Sequence, residues 1–245
     1  MTALVFIHGW GQSSQAWHSQ AAYFSGRYDA RFVNLPGHGG AAETNAETWP
    51  GELMRRMPDE PVIVIGWSLG GMLAMHLALA HPQRFQALAL VAATPRFTRA
   101  PDWPHGCPDA LFDEFDAGVA QASNKALSRF FALMLHGDGL SRRQYQQLAR
   151  QAVDRAHPPS QTALAAGLQW LARFDLRSDL PRLKLPCLVM YGDGDGIVPP
   201  AAGHFLAGRL PDVREFVFPA CGHAPFLTQA ETFNQQLEAW CRTII

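Results

Sequence analysis

The sequence of 245 residues is poor in charge, and neither sign dominates. Charged side chains make up 17% of the chain, and 20 Lys and Arg stand against 21 Asp and Glu, for a formal net charge of −1. Nucleic-acid-binding domains usually carry a clear excess of Lys and Arg on one face. The composition therefore argues against a nucleic-acid partner.

Long apolar runs are also missing. No run reaches the ~20 residues of a membrane-spanning helix, and residues 1–8 lack the charged start and long apolar segment of a signal peptide. The cysteines are few and show neither metal-ligand nor redox-pair spacing; they are Cys107, Cys187, Cys221 and Cys241. We expect free thiols in a protein of the reducing cytoplasm, with no membrane partner and no bound metal.

What the chain does contain is an alternation of strand-like and helix-like segments. Apolar runs lie near residues 3–7, 31–35, 61–65, 86–92, 186–191 and 213–218, and helical patterns separate most of them. This alternation predicts an α/β fold with a mostly parallel central sheet and helices on both faces. The length suits one such domain with an insertion.

The insertion is marked by a loss of strand signal from about Arg96 to Leu180. Helical patterns fill this stretch, from Asn124 to His136, from Ser141 to Ala156, from Ser160 to Phe174 and, in a shorter run, over residues 109–122. We predict a helical cap at residues 96–182, between a first core part at 1–95 and a second at 183–245. Such caps exclude water and shape the substrate pocket.

The segment Gly66–Gly71, Gly-Trp-Ser-Leu-Gly-Gly, lies between an apolar run and a helical run. Gly-x-Ser-x-Gly in that setting is typical of a nucleophile elbow. Glycines at 66 and 70 allow the backbone to turn sharply and neighbouring elements to approach. The alternative is a glycine-rich turn with an incidental serine, but the flanking strand and helix favour Ser68 as a nucleophile.

A serine hydroxyl needs a base within hydrogen-bond reach and a group that orients the base. His223, which follows an apolar strand ending at Phe218, is the predicted base. Asp195 is the predicted acid because its Gly-Ile-Val-Pro continuation resembles the acid loop of such enzymes, and Asp193 is its competitor. The order Ser, Asp, His is that of α/β-hydrolases.

The developing oxyanion needs backbone N–H donors. In this fold one donor follows the nucleophile, here Leu69, and the other lies in the loop after an early strand, here Trp10. The rings of Trp10 and Trp67 are candidates for walls of a substrate channel, with a place in the core as the alternative. His38, in the turn after the second strand, is expected to be structural.

Apolar side chains of the cap could form a path to Ser68, although each one alone is more often a core residue. They are Phe130, Phe131, Leu133 and Met134, joined by Phe97, Trp103 and Phe226. Arg142 and Arg143 stand at the start of a predicted helix, where the helix dipole disfavours cations. An external anionic partner is one hypothesis for this basic surface, and a solvated helix face is the other.

Together these motifs resemble the pimeloyl-[acyl-carrier protein] methyl ester esterases of biotin synthesis, an α/β-hydrolase family. The more specific parts of the resemblance are Gly66–Gly71, Arg129–Leu133 and His223–Phe226. The resemblance implies an α/β-hydrolase fold and a triad of Ser68, Asp195 and His223. It also implies substrate contacts at Trp10, Ser68, Leu69, Phe130, Phe131, Ala132, Leu133, Met134 and His223.

The resemblance further implies a serine carboxylesterase that needs no cofactor and that meets an acyl-carrier protein through Arg129 and the Arg142–Arg143 region. We expect a monomer. The chain departs from the family where it begins, almost directly at the strand before His8, so the usual N-terminal strand pair is expected to be absent. Another ester, lactone or thioester hydrolase of the same fold is the nearest alternative, and a non-catalytic binding protein is the more distant one.

Overall fold

The computed structural model describes residues 2–121 and 124–245, with the side chains of 124–126 left out of the description. A sheet of six strands forms its centre, in the order β2-β1-β3-β4-β5-β6, and every adjacent pair is parallel. The strands are β1 Leu4–Ile7, β2 Ala30–Val33, β3 Val62–Trp67, β4 Phe85–Val91, β5 Cys187–Gly192 and β6 Val213–Phe218. The predicted parallel sheet is confirmed.

Helices cover the sheet and fill the insertion. They are α1 His18–Phe24, α2 Trp49–Arg56, α3 Leu69–Ala80, α4 Asp109–Ala120, α5 Asn124–Met134, α6 Arg142–Ala152, α7 Gln161–Arg173, α8 Pro200–Ala207, α9 Pro225–Thr228 and α10 Ala230–Cys241. None of the helices in the described ranges is both long and apolar enough to cross a membrane.

The inner strands explain why the apolar runs are continuous rather than alternating. All residues of β1, β3 and β5 are buried, as expected for parallel strands covered on both faces. The edge strands β2 and β6 expose residues along their length. The fully buried strands therefore lie inside the sheet, and one of them, β3, leads directly to Ser68.

Four helices, α4 to α7, occupy the region between β4 and β5 that lacks strand signal. Ser141 caps α6 through a capping box with Gln144, and Ser160 caps α7 by accepting a hydrogen bond from Ala163 N–H. The predicted helices are confirmed with shorter C-terminal ends. The first ends at Met134, and Gly137 takes a positive φ of 94° in the turn that follows. Ala122, the predicted end of α4, lies outside the described residues.

The segments at which the chain enters and leaves this insertion lie next to each other. Leu176 N–H donates to the Pro95 carbonyl at 2.8 Å, and the Arg96 guanidinium pairs with the Asp175 carboxylate at 2.8 Å. Burial opposes ionisation of Asp175, but hydrogen bonds from Arg177 and Arg96 outweigh it and lower its pKa to about 2. The two crossings therefore form one ion-paired junction between insertion and sheet.

Candidate active site

Ser68 occupies a sharp turn between β3 and α3, with φ 53° and ψ −118°. A positive φ is costly for a residue with a side chain and is retained where the surroundings impose it. A Cβ at Gly66 would lie 2.5 Å from Gly71 Cα, and one at Gly70 would lie 2.5 Å from the Ile7 carbonyl oxygen. Glycine is therefore required at both positions for the helix to approach β3 and β1 so closely.

His223 and Asp195 form a buried hydrogen-bonded pair. The Nδ1–H of His223 donates to Asp195 Oδ2 at 2.7 Å, and both side chains are fully buried. Asp195 Oδ1 accepts the N–H groups of Ile197 and Val198, each at 2.9 Å. The Gly-Ile-Val-Pro loop thus folds around the carboxylate, and this hydrogen bond leaves the Nε2 lone pair of His223 available as a base.

Asp193, the competing acid, lies elsewhere. It is exposed, and its Oδ1 accepts a long hydrogen bond of 3.4 Å from Cys221 N–H. Of the two carboxylates in this loop, the one on the imidazole belongs to Asp195. Burial raises the pKa of the nearby Cys221 thiol to about 12, so this cysteine is no competing nucleophile at neutral pH.

Trp67, the residue before Ser68 in the chain, contacts His223. The indole Nε1 of Trp67 donates to the His223 carbonyl at 3.0 Å, and the two rings lie 5.7 Å apart. His223 Nε2 is buried and has no hydrogen-bond partner within the described part of the chain, Ser68 Oγ included. Such bonds are commonly loose in unliganded enzymes and tighten when substrate binds.

Two backbone N–H groups lie near the nucleophile. Leu69 is the first residue of α3, so its N–H has no partner within the helix. The loop that carries Trp10 passes beside Ser68, since a Cβ at Gly9 would lie 3.2 Å from Ser68 Cβ. The N-terminal end of α3 adds a positive partial charge to the same place. This arrangement suits an oxyanion.

His8 fixes the loop of Trp10. Its Nδ1 donates to the Gly9 carbonyl at 2.8 Å, and its Nε2 accepts from Leu35 N–H at 3.0 Å. Burial, reinforced by the neighbouring His38, lowers the pKa of His8 to about 3, so the ring is neutral. His38 Nδ1 donates to the Pro36 carbonyl at 2.9 Å, and its Nε2 is buried with no hydrogen-bond partner among the described residues. Its structural role stays a prediction.

The tryptophan rings do not line an open channel. The Trp10 ring is 2% exposed, donates to the Leu164 carbonyl at 2.9 Å and packs against Phe115 and Phe130. Trp67 is fully buried. The core alternative therefore holds for both rings, because each finds a hydrogen-bond acceptor inside the protein. Trp10 consequently joins the nucleophile side of the site to helices α4, α5 and α7.

A cavity of about 770 Å³ opens beside the loop of Trp10. It is lined by Gly11, Gln12, Ser13, Leu127, Ser128, Phe131, Tyr145, Ala149, Val153, Asp154, Arg155, His157, Pro158 and Pro159. Phe131 is the predicted path residue that lines it. Leu127 and Tyr145 were not predicted, although Leu127 lies four residues before Phe131 on the same helix face.

The other predicted path residues, and the implied substrate contact Ala132, differ in their burial. Phe130 and Met134 are buried in the core, Leu133 is half-buried, and Ala132 is exposed. Phe97, Trp103 and Phe226 are also buried core residues. The residues of α5 differ in exposure because successive residues of a helix are rotated by about 100° around its axis.

The three predicted docking arginines are exposed. Arg129 pairs with Glu114 at 2.7 Å. Arg142 and Arg143 begin α6 and make no ion pair with any residue in the described ranges. Their charge is unopposed at a helix end that disfavours cations.

Comparison with known proteins identifies the family and the fold. The family described as alpha/beta hydrolase fold matches residues 2–230. A pimeloyl-[acyl-carrier protein] methyl ester esterase from Nitrosomonas europaea is 38% identical, over 96% of this chain and 94% of that protein. The protein of the same name from Vibrio cholerae is also 38% identical, over 96% and 92%. An esterase structure from Exiguobacterium antarcticum superposes with a TM-score of 0.87 at 22% identity, over 99% of this chain and 92% of that one, which shows the shared fold.

Proposed function

We propose a reaction for this protein on the basis of its family. The chain belongs to the alpha/beta hydrolase family and, within it, to the pimeloyl-[acyl-carrier protein] methyl ester esterases. As a member it is a carboxylesterase. Its substrate is the methyl ester of a pimeloyl chain attached to an acyl-carrier protein. Hydrolysis releases methanol and leaves a free distal carboxylate on the carrier-bound chain, for use in biotin synthesis.

The reaction proceeds through an acyl-enzyme on Ser68. His223 Nε2 takes the hydroxyl proton as the bond from Ser68 Oγ to the acyl carbon forms, and it returns the proton to the methoxy oxygen as methanol leaves. The N–H groups of Trp10 and Leu69 bind the oxyanion. Water then attacks the acyl carbon with the same base, and Asp195 stabilises the imidazolium in both steps.

One observation carries this mechanism, and it is the state of the His223 ring. Its Nδ1 is committed to Asp195, while its Nε2 is buried and unpaired with respect to the described residues. With Nδ1 held by the carboxylate, the Nε2 lone pair is the one that can accept a proton. The carbonyl of the same residue is held by Trp67, the neighbour of Ser68 in the chain.

The carrier approaches from the side of the cavity. A substrate with one end on a protein needs an opening at the surface, and the 770 Å³ cavity borders both the loop of Trp10 and helix α6. Arg142 and Arg143 on α6 offer exposed positive charge to an acidic carrier. Residues 96–182 act as the cap over the site, and the protein works as a cytoplasmic monomer.

The test is hydrolysis of methyl pimeloyl-carrier by the wild type and by Ser68→Ala, followed by intact-mass analysis of the carrier. Wild type is expected to remove the methyl group and leave the thioester intact. Ser68→Ala is expected to lower kcat by about 10⁶-fold, the scale of nucleophile loss in serine hydrolases. Retained turnover in Ser68→Ala would contradict the mechanism, and cleavage at the thioester would contradict the substrate assignment.

A further inference from the structure

The segment that follows α5 contacts the loop of the catalytic histidine. His223 N–H donates to the Met134 carbonyl at 2.9 Å, and Gly222 N–H donates to Asp138 Oδ1 at 3.1 Å. Both acceptors belong to the insertion, whereas both donors belong to the loop between β6 and α9. Successive peptide N–H groups of the histidine loop are thus held by the helical insertion.

The contact is close enough to require glycine. A Cβ at Gly222 would lie 2.7 Å from the Met134 carbonyl oxygen, 2.8 Å from the His136 carbonyl oxygen and 2.9 Å from Asp138 Oδ2. The insertion makes the matching turn through Gly137, at a φ of 94°. The backbone at Gly222 therefore packs directly against two carbonyls of the insertion and the Asp138 carboxylate.

Asp138 also holds the chain on the other side of the histidine. Its Oδ1 accepts from the Thr228 hydroxyl at 2.7 Å, so residues before and after His223 share one carboxylate oxygen. Burial raises the pKa of Asp138 above its ordinary value, although the hydrogen bonds from Thr228 and Gly222 oppose this rise. Partial burial of a carboxylate opposes its ionisation, so a half-buried Asp indicates a role beyond solubility.

The remaining supports of His223 come from the other part of the protein. Trp67 holds its carbonyl at 3.0 Å, and Asp195 holds its ring at 2.7 Å. The core thus fixes the carbonyl and the Nδ1 edge. The N–H of His223 is held by Met134 of the insertion, and the N–H of the preceding Gly222 is held by Asp138.

We propose that Asp138 is a positioning residue that holds the His223 loop where Nε2 can take the Ser68 proton. The helical insertion therefore sets the rate of the chemical step as well as covering the site. The proposal rests on the functions proposed above for Ser68 and His223. Asp138 itself touches neither the substrate nor the reacting atoms.

The experiment compares Asp138→Ala with Asp138→Asn on the methyl ester substrate. Asn keeps an Oδ1 acceptor for Gly222 and Thr228, and it replaces Oδ2, which has no hydrogen-bond partner among the described residues. Asp138→Ala is expected to lower kcat by about 10²-fold, as a misplacement near 1 Å does, with KM changed by no more than about 2-fold. Asp138→Asn is expected to restore kcat to within about 5-fold of the wild type.

Two further variants keep the result interpretable. Thr228→Val removes one of the two hydrogen bonds and should give an intermediate fall in kcat, even if Asp138→Ala does not fold. Asp116→Ala removes an exposed acid on α4 and should leave kcat and KM unchanged. Circular dichroism at the assay temperature selects the folded variants for kinetics.

Failure of this proposal is separable from failure of the proposed function. If Ser68→Ala is inactive while Asp138→Ala or Thr228→Val keeps the wild-type kcat, the positioning role is wrong and the mechanism stands. If Asp138→Asn is as slow as Asp138→Ala, charge rather than position is responsible, and the proposal is overturned. Turnover by Ser68→Ala would instead reject the mechanism itself.

Discussion

The sheet side of the site and the insertion side differ in how they hold the proposed catalytic groups. On the sheet side, Ser68, Leu69 and Asp195 are held by glycines and backbone N–H groups within a few residues of themselves. On the insertion side, backbone carbonyls of Leu164 and Met134 hold groups that are more than 80 residues away along the chain. In the proposed mechanism, the sheet carries the reactive groups and the insertion aligns the segments of Trp10 and His223.

The largest effect is expected when each of the two acids after β5 is neutralised in turn. Asp195→Asn should lower kcat by about 10⁴-fold, because the amide favours the wrong imidazole tautomer and does not stabilise the imidazolium. Asp193→Asn should change kcat by less than about 3-fold, since its carboxylate does not touch the ring. Steady-state hydrolysis of the methyl ester measures both. A large loss in Asp193→Asn alone would reverse the assignment of the acid.

Replacing one glycine on each side by alanine tests the sheet side and the insertion side of the site separately. Gly70→Ala places a Cβ 2.5 Å from the Ile7 carbonyl, so it should destabilise the fold by about 1–3 kcal/mol. Gly167→Ala places a Cβ 2.6 Å from Trp10 Cδ1, so it should displace that ring and lower kcat with a smaller change in stability. Denaturant unfolding and kinetics on the same samples are required. If Gly167→Ala loses as much stability as Gly70→Ala and keeps the wild-type kcat, Trp10 has no role in alignment.

Charge on the insertion surface should affect carrier recognition alone. Arg142→Glu combined with Arg143→Glu should raise KM for the carrier-bound ester by about 10-fold, because interface charges change association more than chemistry. The kcat/KM for a short soluble ester should stay within about 2-fold of the wild-type value, since these residues are exposed and lie on α6. An equal effect on both substrates would show that α6 acts on the site rather than on the carrier.

The smallest effect is expected at the junction of the two parts. The folded-state pKa of Asp175 is about 2, below its ordinary value, so its ion pairs with Arg96 and Arg177 stabilise the fold above about pH 4. This contribution is lost as the pH falls through about 2. Asp175→Asn should cost at most about 1 kcal/mol at pH 7, because the pair is partly exposed. Urea unfolding at pH 7 and pH 3 measures it, and a pH-independent difference between the proteins would contradict the linkage.

Local sequence patterns predicted the sheet side of the site better than the insertion side. The elbow at Ser68, the six strands and the starts of α6 and α7 follow from short-range rules for glycine, β-branched residues and serine caps. Asp195 and Asp193 follow the same strand, and the Gly-Ile-Val-Pro continuation favoured Asp195, which is the carboxylate that contacts His223. The hydrogen bonds of Trp10 to Leu164 and of Gly222 to Asp138 join segments 154 and 84 residues apart. No periodicity encodes such contacts, so the contacts on which the proposed alignment role depends were not predictable from the sequence.

Covalent labelling by a fluorophosphonate, with peptide mapping of the adduct, tests the proposed chemistry most directly. The wild type should carry one adduct, on Ser68, and labelling should slow by about 10³-fold or more in His223→Ala, because the base is gone. An adduct on another residue, or labelling of His223→Ala at the wild-type rate, would contradict the mechanism.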